Sequence, residues 1–427
     1  MKKCHLLLLL VSGVMYVGAA GAASDSGLAA ALRATVSRHP ALSGKQASVE
    51  AKIFTGDSTR AQRYPSLSGQ VATQGSTDPR VNAYYNNPSY NGNRPMTFRA
   101  RQPVWAFGRI DSNIAYADAD VVAEKADLLR VQRQLMDQTV VAYVQVQGAQ
   151  QRQRIAEDYV ASLDKLYQQI QRREQGQMAS VADVRLALAR LLQARAQQKR
   201  YSSEVVIAES DLLSLTQIPV QVEHSVPDSL ISLPGDAELE ALAQEQSADV
   251  VLKTRQAALA QAEVRRELSS SMPTLYLEAD RYLNQAPYGG DFRVGVTLEA
   301  SLDGLGFASH GRNMAADARK QAALDDLNAT RNDIGRTVRS LNANRQLQQS
   351  LIESQSQSVQ ELAEILGSYQ RQYEAGYKAW LEVLNMLQEL NGQRLQQAQA
   401  ENEWLANTLK LVALTGGFDA VVGKKKD

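Results

Sequence analysis

The side chains that most often carry out catalysis or bind metals are scarce in this sequence. Cys4 is the only cysteine, and three of the four histidines, His39, His224 and His310, lie far apart in unlike contexts. A zinc site needs several such ligands, and a nucleophilic triad needs a base beside its nucleophile. The sequence has neither a glycine-rich phosphate-binding motif nor a cluster of carboxylates. We therefore expect no enzymatic activity and no cofactor.

The N-terminus has the order of a secretory signal. Lys2 and Lys3 precede an apolar run that starts at Leu6, and small residues follow as far as Ala23. This order predicts a signal peptide over 1–23 and an exported protein. An uncleaved anchor helix is the alternative, but the apolar run is short for a membrane span.

Charge excludes one class of function. The sequence has 46 basic and 46 acidic side chains, and losing Lys2 and Lys3 with the signal leaves a net charge of −2. A nucleic-acid binder that depends on bulk charge needs an excess of basic residues. Cys4 precedes the apolar run, whereas a lipid-modified cysteine follows it, so we do not expect a lipoprotein.

The placement of proline indicates very long helices. No proline occurs between Pro103 and Pro219 or after Pro287, and a proline in a helix interior costs about 3 kcal/mol or more. Apolar residues also recur every seven positions, as in a coiled-coil seam: Val121, Leu128, Leu135, Ala142, Ala149, Ala156, Leu163 and Ile170. We predict helices over about 109–175, 181–215, 312–374 and 380–414. The first would be about 100 Å long, which implies a rod or a tube.

Alternating segments precede each long helix. Period-two alternation predicts strands over about 64–73, 96–104, 272–283 and 291–301. Each has the length of a transmembrane strand, although a water-facing meander would alternate similarly. Four strands cannot close a barrel, because the smallest barrels need about eight, so several chains would have to contribute. Five tyrosines near the strand ends fit an interfacial aromatic girdle: Tyr84, Tyr85, Tyr90, Tyr282 and Tyr288.

The order of strand, strand, long helix, turn and helix occurs twice, which indicates an internal duplication. Matching segments include Pro65-Ser66-Leu67 with Pro273-Thr274-Leu275, Gly108-Arg109 with Gly311-Arg312, and Glu174-Gln175-Gly176 with Glu374-Ala375-Gly376. We expect a first repeat over 24–216, a linker over 217–246 with little helix until its end, a second repeat over 247–416 and a tail over 417–427.

The sequence resembles the TolC-like outer-membrane factors over nearly the whole mature chain. The stretches that carry the resemblance are Tyr64-Pro65-Ser66-Leu67, Gln102 to Arg109 (QPVWAFGR), Tyr373-Glu374-Ala375-Gly376 with Leu381 to Leu384, and Leu414-Thr415-Gly416. The resemblance implies a homotrimer in which each chain gives four strands to a twelve-stranded transmembrane β-barrel. It also implies a periplasmic α-helical coiled-coil tunnel that meets an adaptor and an inner-membrane pump.

The resemblance also implies a gate at the periplasmic end of the tunnel. The family carries acidic rings on the helix after the second turn, and by spacing these positions fall on Glu382 and Asn385. Asn385 departs from the family pattern, so a double carboxylate ring is not expected. Lys378 and Tyr373 fall where the family has residues that help to hold the entrance shut, with Asp183 in a lesser part. Gly176 and Gly376 mark the helix-turn tips expected to dock the adaptor.

The function implied is an exit duct in the outer membrane of a Gram-negative bacterium. Its partners would be a periplasmic adaptor (membrane fusion protein), an inner-membrane ABC transporter or proton-driven pump, and outer-membrane lipid, but no nucleic acid. The stretch from Arg101 to Asp111 looks like members that serve type I secretion of large adhesins. Two alternatives stay open: a drug-efflux duct of a proton-driven pump, and a periplasmic coiled-coil adaptor.

Overall fold

The computed structural model of the chain describes residues 27–71, 96–223, 225–285, 289–301 and 303–423. The predicted signal peptide, Cys4, His224 and the whole of the predicted loop from Gly75 to Pro95 lie outside these residues. So do four of the five tyrosines of the expected girdle, namely Tyr84, Tyr85, Tyr90 and Tyr288. Within the described ranges, no helix combines the length and the apolar character needed to cross a membrane.

Helices form most of the described chain. In chain order they are α1 (Gly27–Arg38), α2 (Pro40–Arg60), α3 (Arg109–Gln175), α4 (Val181–Thr216), α5 (Asp228–Ile231), α6 (Asp236–Gln246), α7 (Ala248–Ser270), α8 (Phe307–Glu374), α9 (Trp380–Leu414) and α10 (Asp419–Val422). The helices α3 and α8 contain 67 and 68 residues. Each turns back into a shorter helix, α4 or α9, that packs along it. The predicted fold class, a duplicated unit that ends in a long helical hairpin, is confirmed.

The seven-residue seam of α3 is where the two hairpins meet. Six of its eight positions are buried and the other two are partly buried. Near the middle of α3 the core contains Val140 and Tyr143 with Leu409 of α9. Near the turn it contains Leu166 and Ile170 of α3 with residues of α4, α8 and α9. The alanines of the seam allow neighbouring helices to approach closely, and α3 contacts both α4 and α9.

The predicted start of α8 is wrong by five residues. The helix begins at Phe307 rather than at Arg312, and its N-cap is Gly306 with a left-handed φ of 92°. The equivalent N-cap of α3 is Gly108, with a φ of 84°. Left-handed backbone is accessible to glycine at little cost, so Gly108 and Gly306 are the true structural counterparts. Gly311 is an interior residue of α8, and the match of Gly108-Arg109 with Gly311-Arg312 is wrong.

Three helices, α1, α2 and α7, are absent from the sequence-based interpretation. The helix α2 ends before the first strand pair and α7 before the second, and both pack on α3. The repeated unit therefore begins with a helix before its two strands. In α2 only Leu42, Val49 and Gly56 are buried, a stripe too narrow to stand out in the sequence. Within the predicted linker the structure has α5 and α6.

Four strands form one antiparallel sheet: β1 (Ser66–Val71), β2 (Met96–Trp105), β3 (Thr274–Gln285) and β4 (Gly289–Glu299). Their spatial order is the chain order, so the pairing of β2 with β3 joins the two repeats. Ala100 lies opposite Ala279 at the centre of that pairing. In the described chain β1 and β4 each have one edge without a partner strand.

Candidate functional site

The two helix turns have the same backbone. In the first, the amides of Gly176, Gln177 and Met178 donate to the carbonyls of Arg172, Glu174 and Arg173. In the second, the amides of Ala375, Gly376 and Tyr377 donate to those of Arg371, Tyr373 and Gln372. The residues with left-handed φ are Gln177, at 59°, and Gly376, at 83°.

This equivalence corrects one match between the repeats. The counterpart of Gly376 is Gln177, while Gly176 has a φ of −85° and corresponds to Ala375. Gly176 and Gly376 are both exposed at the turns, but only Gly376 has a backbone that favours glycine. By the same register Asp183 and Glu382 are equivalent, as the third residues of α4 and α9.

The first turn holds its carboxylate inside the turn itself. The Ser180 Oγ accepts a hydrogen bond from the Asp183 amide, and the Asp183 Oδ2 accepts bonds from the Ser180 amide and hydroxyl. This is a capping box, which satisfies amides that a helix start leaves without partners. The bonds from Ser180 lower the pKa of Asp183, with a smaller contribution from Trp380. Asp183 is therefore ionised and fixed.

The second turn has no such cap. Its N-cap is Ala379, which has no side-chain hydrogen-bonding group, so Glu382 has no capping partner. Instead the Glu382 carboxylate, which is exposed, forms an ion pair with Lys378 four residues earlier. This bond raises the pKa of Lys378. The Lys378 Nζ also lies 4.2 Å from the centre of the Tyr369 ring.

Two side chains, Arg173 and Trp380, tie the turns to each other. The Arg173 guanidinium lies 4.1 Å from the centre of the Tyr373 ring. Its Nη2 donates to the Tyr373 carbonyl oxygen, at 2.6 Å, and to that of Glu374, at 3.3 Å. In the other direction, Trp380 Nε1 donates to Asp183 Oδ1 at 3.0 Å. Tyr373 is buried against the apolar cluster below the turns, and this burial raises its pKa.

The structure therefore brings together most of the residues predicted for the gate. Tyr373, Asp183, Lys378 and Glu382 all lie at the paired turns, whereas Asn385 is exposed about one helical turn further along α9. The sequence interpretation missed three residues that hold this end: Arg173, Ser180 and Trp380. Ser180 with Asp183 matches the capping-box spacing and could have been found. The contacts of Arg173 and Trp380 cross between hairpins and leave no signal in either turn alone.

The sheet is a second surface of functional interest. One face is apolar and exposed: Leu67, Phe98, Leu277, Phe292, Val294, Val296 and Leu298. The other face carries ion pairs between strands. Arg99 Nε lies 2.8 Å from Asp280 Oδ1, and Arg101 pairs with Glu278 and, at 3.0 Å, with Glu299. A large apolar face exposed on a folded chain marks a surface covered by protein or lipid.

No metal site is found among the residues that the structure describes, because no group of three or more His, Cys, Asp or Glu side chains is placed to hold an ion. The charged groups at the turns are a carboxylate in an ion pair, a capped carboxylate and a cation over a buried ring.

The chain matches a known protein family over most of its length. The family described as outer membrane efflux protein matches residues 31–216 and 240–417. No curated protein matches the sequence.

Similar solved structures include three outer-membrane proteins. The outer-membrane channel OprN is 20% identical over 92% of this chain and 90% of that chain, with a TM-score of 0.74. The outer membrane protein VceC of Vibrio cholerae is 16% identical over 91% and 96%, with a TM-score of 0.76. The outer membrane channel CmeC of Campylobacter jejuni is 12% identical over 92% and 86%, with a TM-score of 0.75. At these identities the likeness shows a shared fold.

Proposed function

The chain belongs to the outer membrane efflux protein family, and on this premise we propose that it is the exit duct of a tripartite export machine. Three copies would each give four strands to one twelve-stranded barrel in the outer membrane. Their long helices would form a tunnel through the periplasm. The tips at Gly176 and Gly376 would dock a periplasmic adaptor joined to an inner-membrane pump.

The observation that carries this proposal is the two-faced sheet with two free edges. Its exposed apolar face suits lipid and its ion-paired face suits a water-filled lumen. The edges of β1 and β4 would leave backbone groups without hydrogen bonds in lipid, where only closed barrels satisfy all of them. Pairing β4 of one chain with β1 of the next would close the barrel. A coiled-coil adaptor has no need of such a sheet.

Oligomeric state tests the proposal directly. Extracted from outer membrane in mild detergent, the protein should migrate as a trimer, and the membrane fraction should hold no monomer. A stable monomer integrated in the membrane would contradict barrel closure by several chains.

Orientation is tested by cysteine labelling. A cysteine introduced at Asn87, in the predicted loop from Gly75 to Pro95, should react in intact cells, and one at Gln177 only after the outer membrane is permeabilised. Asn87 lies outside the described residues, and its exposure outside the cell follows from the proposal alone. The reverse labelling pattern would show that the protein has the opposite orientation in the outer membrane.

The gate is proposed at the second turn. Three symmetry copies of Glu382 would converge on the axis and favour cations, since a ring of like charges focuses the potential in a narrow pore. Lys378 would offset their mutual repulsion through its ion pair, and Tyr373 and Asp183 would hold the turns together. Because Asn385 is uncharged, no second carboxylate ring would form beside that of Glu382.

Planar-bilayer recordings test this assignment. Glu382→Ala should lower cation preference and weaken block by multivalent cations, whereas Glu209→Ala, which removes an exposed carboxylate near the end of α4 far from the turns, should change neither. Asn385→Asp should strengthen block by adding a second ring. If an intact trimer of Glu382→Ala kept both properties unchanged, the constriction would lie elsewhere.

We further propose that the exported substrates are proteins, such as large adhesins, moved by type I secretion with an ABC transporter. The support is the similarity of Arg101 to Asp111 to family members with that role. In the structure this segment joins β2 to α3, and Arg109 Nη2 donates to the Tyr276 hydroxyl at 3.1 Å. A deletion strain should lose a large secreted protein and keep its drug resistance. Loss of resistance with normal secretion would favour a drug-efflux duct with a proton-driven pump instead.

A further inference from the structure

One charged side chain lies on the mostly apolar face of the sheet. Arg281 of β3 lies opposite Phe98 of β2 and Phe292 of β4, and directly opposed residues share a face. Next to this row are Ala100, Ala279 and Val294 on one side, and Met96 and Leu283 on the other. Among the described residues on this face, Arg281 is the only one with a charge.

The other three arginines of the strands have carboxylate partners on the opposite face. Arg99 pairs with Asp280, Arg101 with Glu278 and Arg293 with Asp291. Arg281 is exposed, and its guanidinium makes no hydrogen bond or ion pair with any residue in the part of the chain that the structure describes. An arginine left on an apolar surface needs an anion or water from outside the chain.

The position of Arg281 along the strand says where that anion would be. The apolar row begins near the helices with Leu275 and Leu298, and Arg281 lies six residues further along β3, towards the hairpin end. At about 3.4 Å per residue and a tilt of about 40°, this is about 15 Å above Leu275. The apolar residues of this face end one pair further on, at Leu283 opposite Met96, about 5 Å above Arg281. Arg281 thus lies close to the outer end of the apolar row. A lipid-facing arginine is costly at the bilayer midplane but nearly neutral close to the interface, which its long side chain can reach.

We propose that Arg281 binds a phosphate group of the phosphorylated glycolipid of the outer leaflet. The inference rests on the proposed function, because it needs the sheet to span the outer membrane with its hairpin loops outside. The guanidinium offers a planar fork of donors that matches a phosphate with two hydrogen bonds. Phe98 and Phe292 on either side would contact the acyl chains, as aromatic residues do at a membrane interface.

Titration of the purified full-length trimer by native mass spectrometry tests this proposal. The probes are bisphosphorylated lipid A, enzymatically dephosphorylated lipid A, phosphatidylglycerol and inorganic phosphate. The wild-type trimer should bind bisphosphorylated lipid A about tenfold more tightly than the dephosphorylated form, since a hydrogen-bonded charge pair contributes at least that much. Arg281→Gln should lose this difference and Arg281→Lys should keep part of it. Arg293→Gln is the control on the opposite face and should bind like wild type.

Three results would overturn the proposal. The first is unchanged lipid A affinity in an intact Arg281→Gln trimer. The second is equally tight, Arg281-dependent binding of phosphatidylglycerol, and the third is displacement of lipid A by inorganic phosphate at similar concentration, which would make the site one for free anions. If the trimer conducts ions and any of these results is obtained, the lipid-binding inference is contradicted but the proposed channel function is not. A wild-type chain that forms no trimer contradicts the proposed function itself.

Discussion

The two helix turns differ in chemistry although their backbones match. Each closes with the same three amide-to-carbonyl bonds, and each has an acidic residue as the third residue of the next helix, Asp183 or Glu382. Ser180 before α4 draws Asp183 into a capping box, whereas Ala379 before α9 leaves Glu382 to pair with Lys378 at the surface. The turns thus differ at the N-cap and at the residue before it, Ala179 or Lys378, and these two positions together leave one carboxylate fixed in the turn and the other at the surface.

The comparison also shows which turn depends on the other. The first turn supplies Arg173, which binds the last carbonyls of α8 and covers the ring of Tyr373. From the second turn, the Trp380 indole donates a hydrogen bond to Asp183, whose carboxylate is already held by Ser180. The second turn therefore depends on the first more than the reverse, and it is the turn that carries the proposed gate.

Removal of Arg173 should have the largest effect. Arg173→Ala loses a cation over an aromatic ring and a charge-assisted hydrogen bond, together about 2 kcal/mol of local stability. Amide hydrogen exchange at Gly376 and Tyr377 should accelerate accordingly, and channel conductance should rise. Arg172→Ala is the matched control, because Arg172 is an exposed neighbour in the same last turn of α3. Equal effects of Arg173→Ala and Arg172→Ala would mean that the second turn does not depend on contacts from the first.

Alanine at Gly376 should have the next largest effect. A side chain in left-handed backbone costs about 1–2 kcal/mol, so Gly376→Ala should speed exchange of the Tyr377 amide. Gly176→Ala is the control, since Gly176 has a negative φ and an added Cβ would meet mainly the flexible end of Met178. If both glycines proved equally intolerant, the assignment of Gln177 as the counterpart of Gly376 would be wrong.

Removal of the cap should cost about 1 kcal/mol in the first turn. Ser180→Ala takes away the N-cap of α4, a change worth about 0.5–2 kcal/mol, and should speed exchange of the Asp183 amide. The converse change, Ala379→Ser, should give the second turn a capping box with Glu382 and weaken the ion pair with Lys378. Ser203→Ala, in the interior of α4, controls for the loss of a hydroxyl. No change in exchange after Ala379→Ser would show that the N-cap residue is not what separates the turns.

The smallest effect should come from the indole. Trp380→Phe keeps an aromatic ring and loses one hydrogen bond, worth about 1 kcal/mol or less. Because Ser180 lowers the pKa of Asp183 more than Trp380 does, Ser180→Ala should raise this pKa more than Trp380→Phe, as read by NMR titration.

The lowered pKa of Asp183 also predicts how the stability of the first turn depends on pH. The contribution of the cap to stability is complete above the ordinary aspartate pKa of about 3.9 and is lost as pH falls through the lower pKa of the folded chain. Stability of the first turn should thus stay constant at neutral pH, and a titration near pH 7 would contradict the assignment.

Much of this fold was accessible from the sequence. The helix α3 lies where proline-free, seven-residue periodicity predicts it, because a long coiled-coil seam repeats one simple physical requirement many times. The helix α9 lies where the proline-free stretch after the turn at Gly376 predicts it. The start of α8 was not accessible in this way. Three left-handed residues before Phe307 decide it, and Gly311 offered an equally plausible start. The helix α2 was missed because its buried stripe is narrow. The burial of α1 and α7, like that of α2, comes from packing on α3, which their own segments of sequence do not show.

At the turns, spacing along the chain was enough to predict where Asp183, Lys378, Tyr373 and Glu382 fall. The partners that Asp183 and Tyr373 have in the other turn depend on how the two hairpins pack. Arg173 and Tyr373 are 200 positions apart in the chain, and their contact exists because the seam of α3 brings the two hairpins side by side. Local patterns specify which face of each element is apolar and where the backbone turns. Contacts between hairpins depend on how two such faces pack, and no single segment of sequence contains that information.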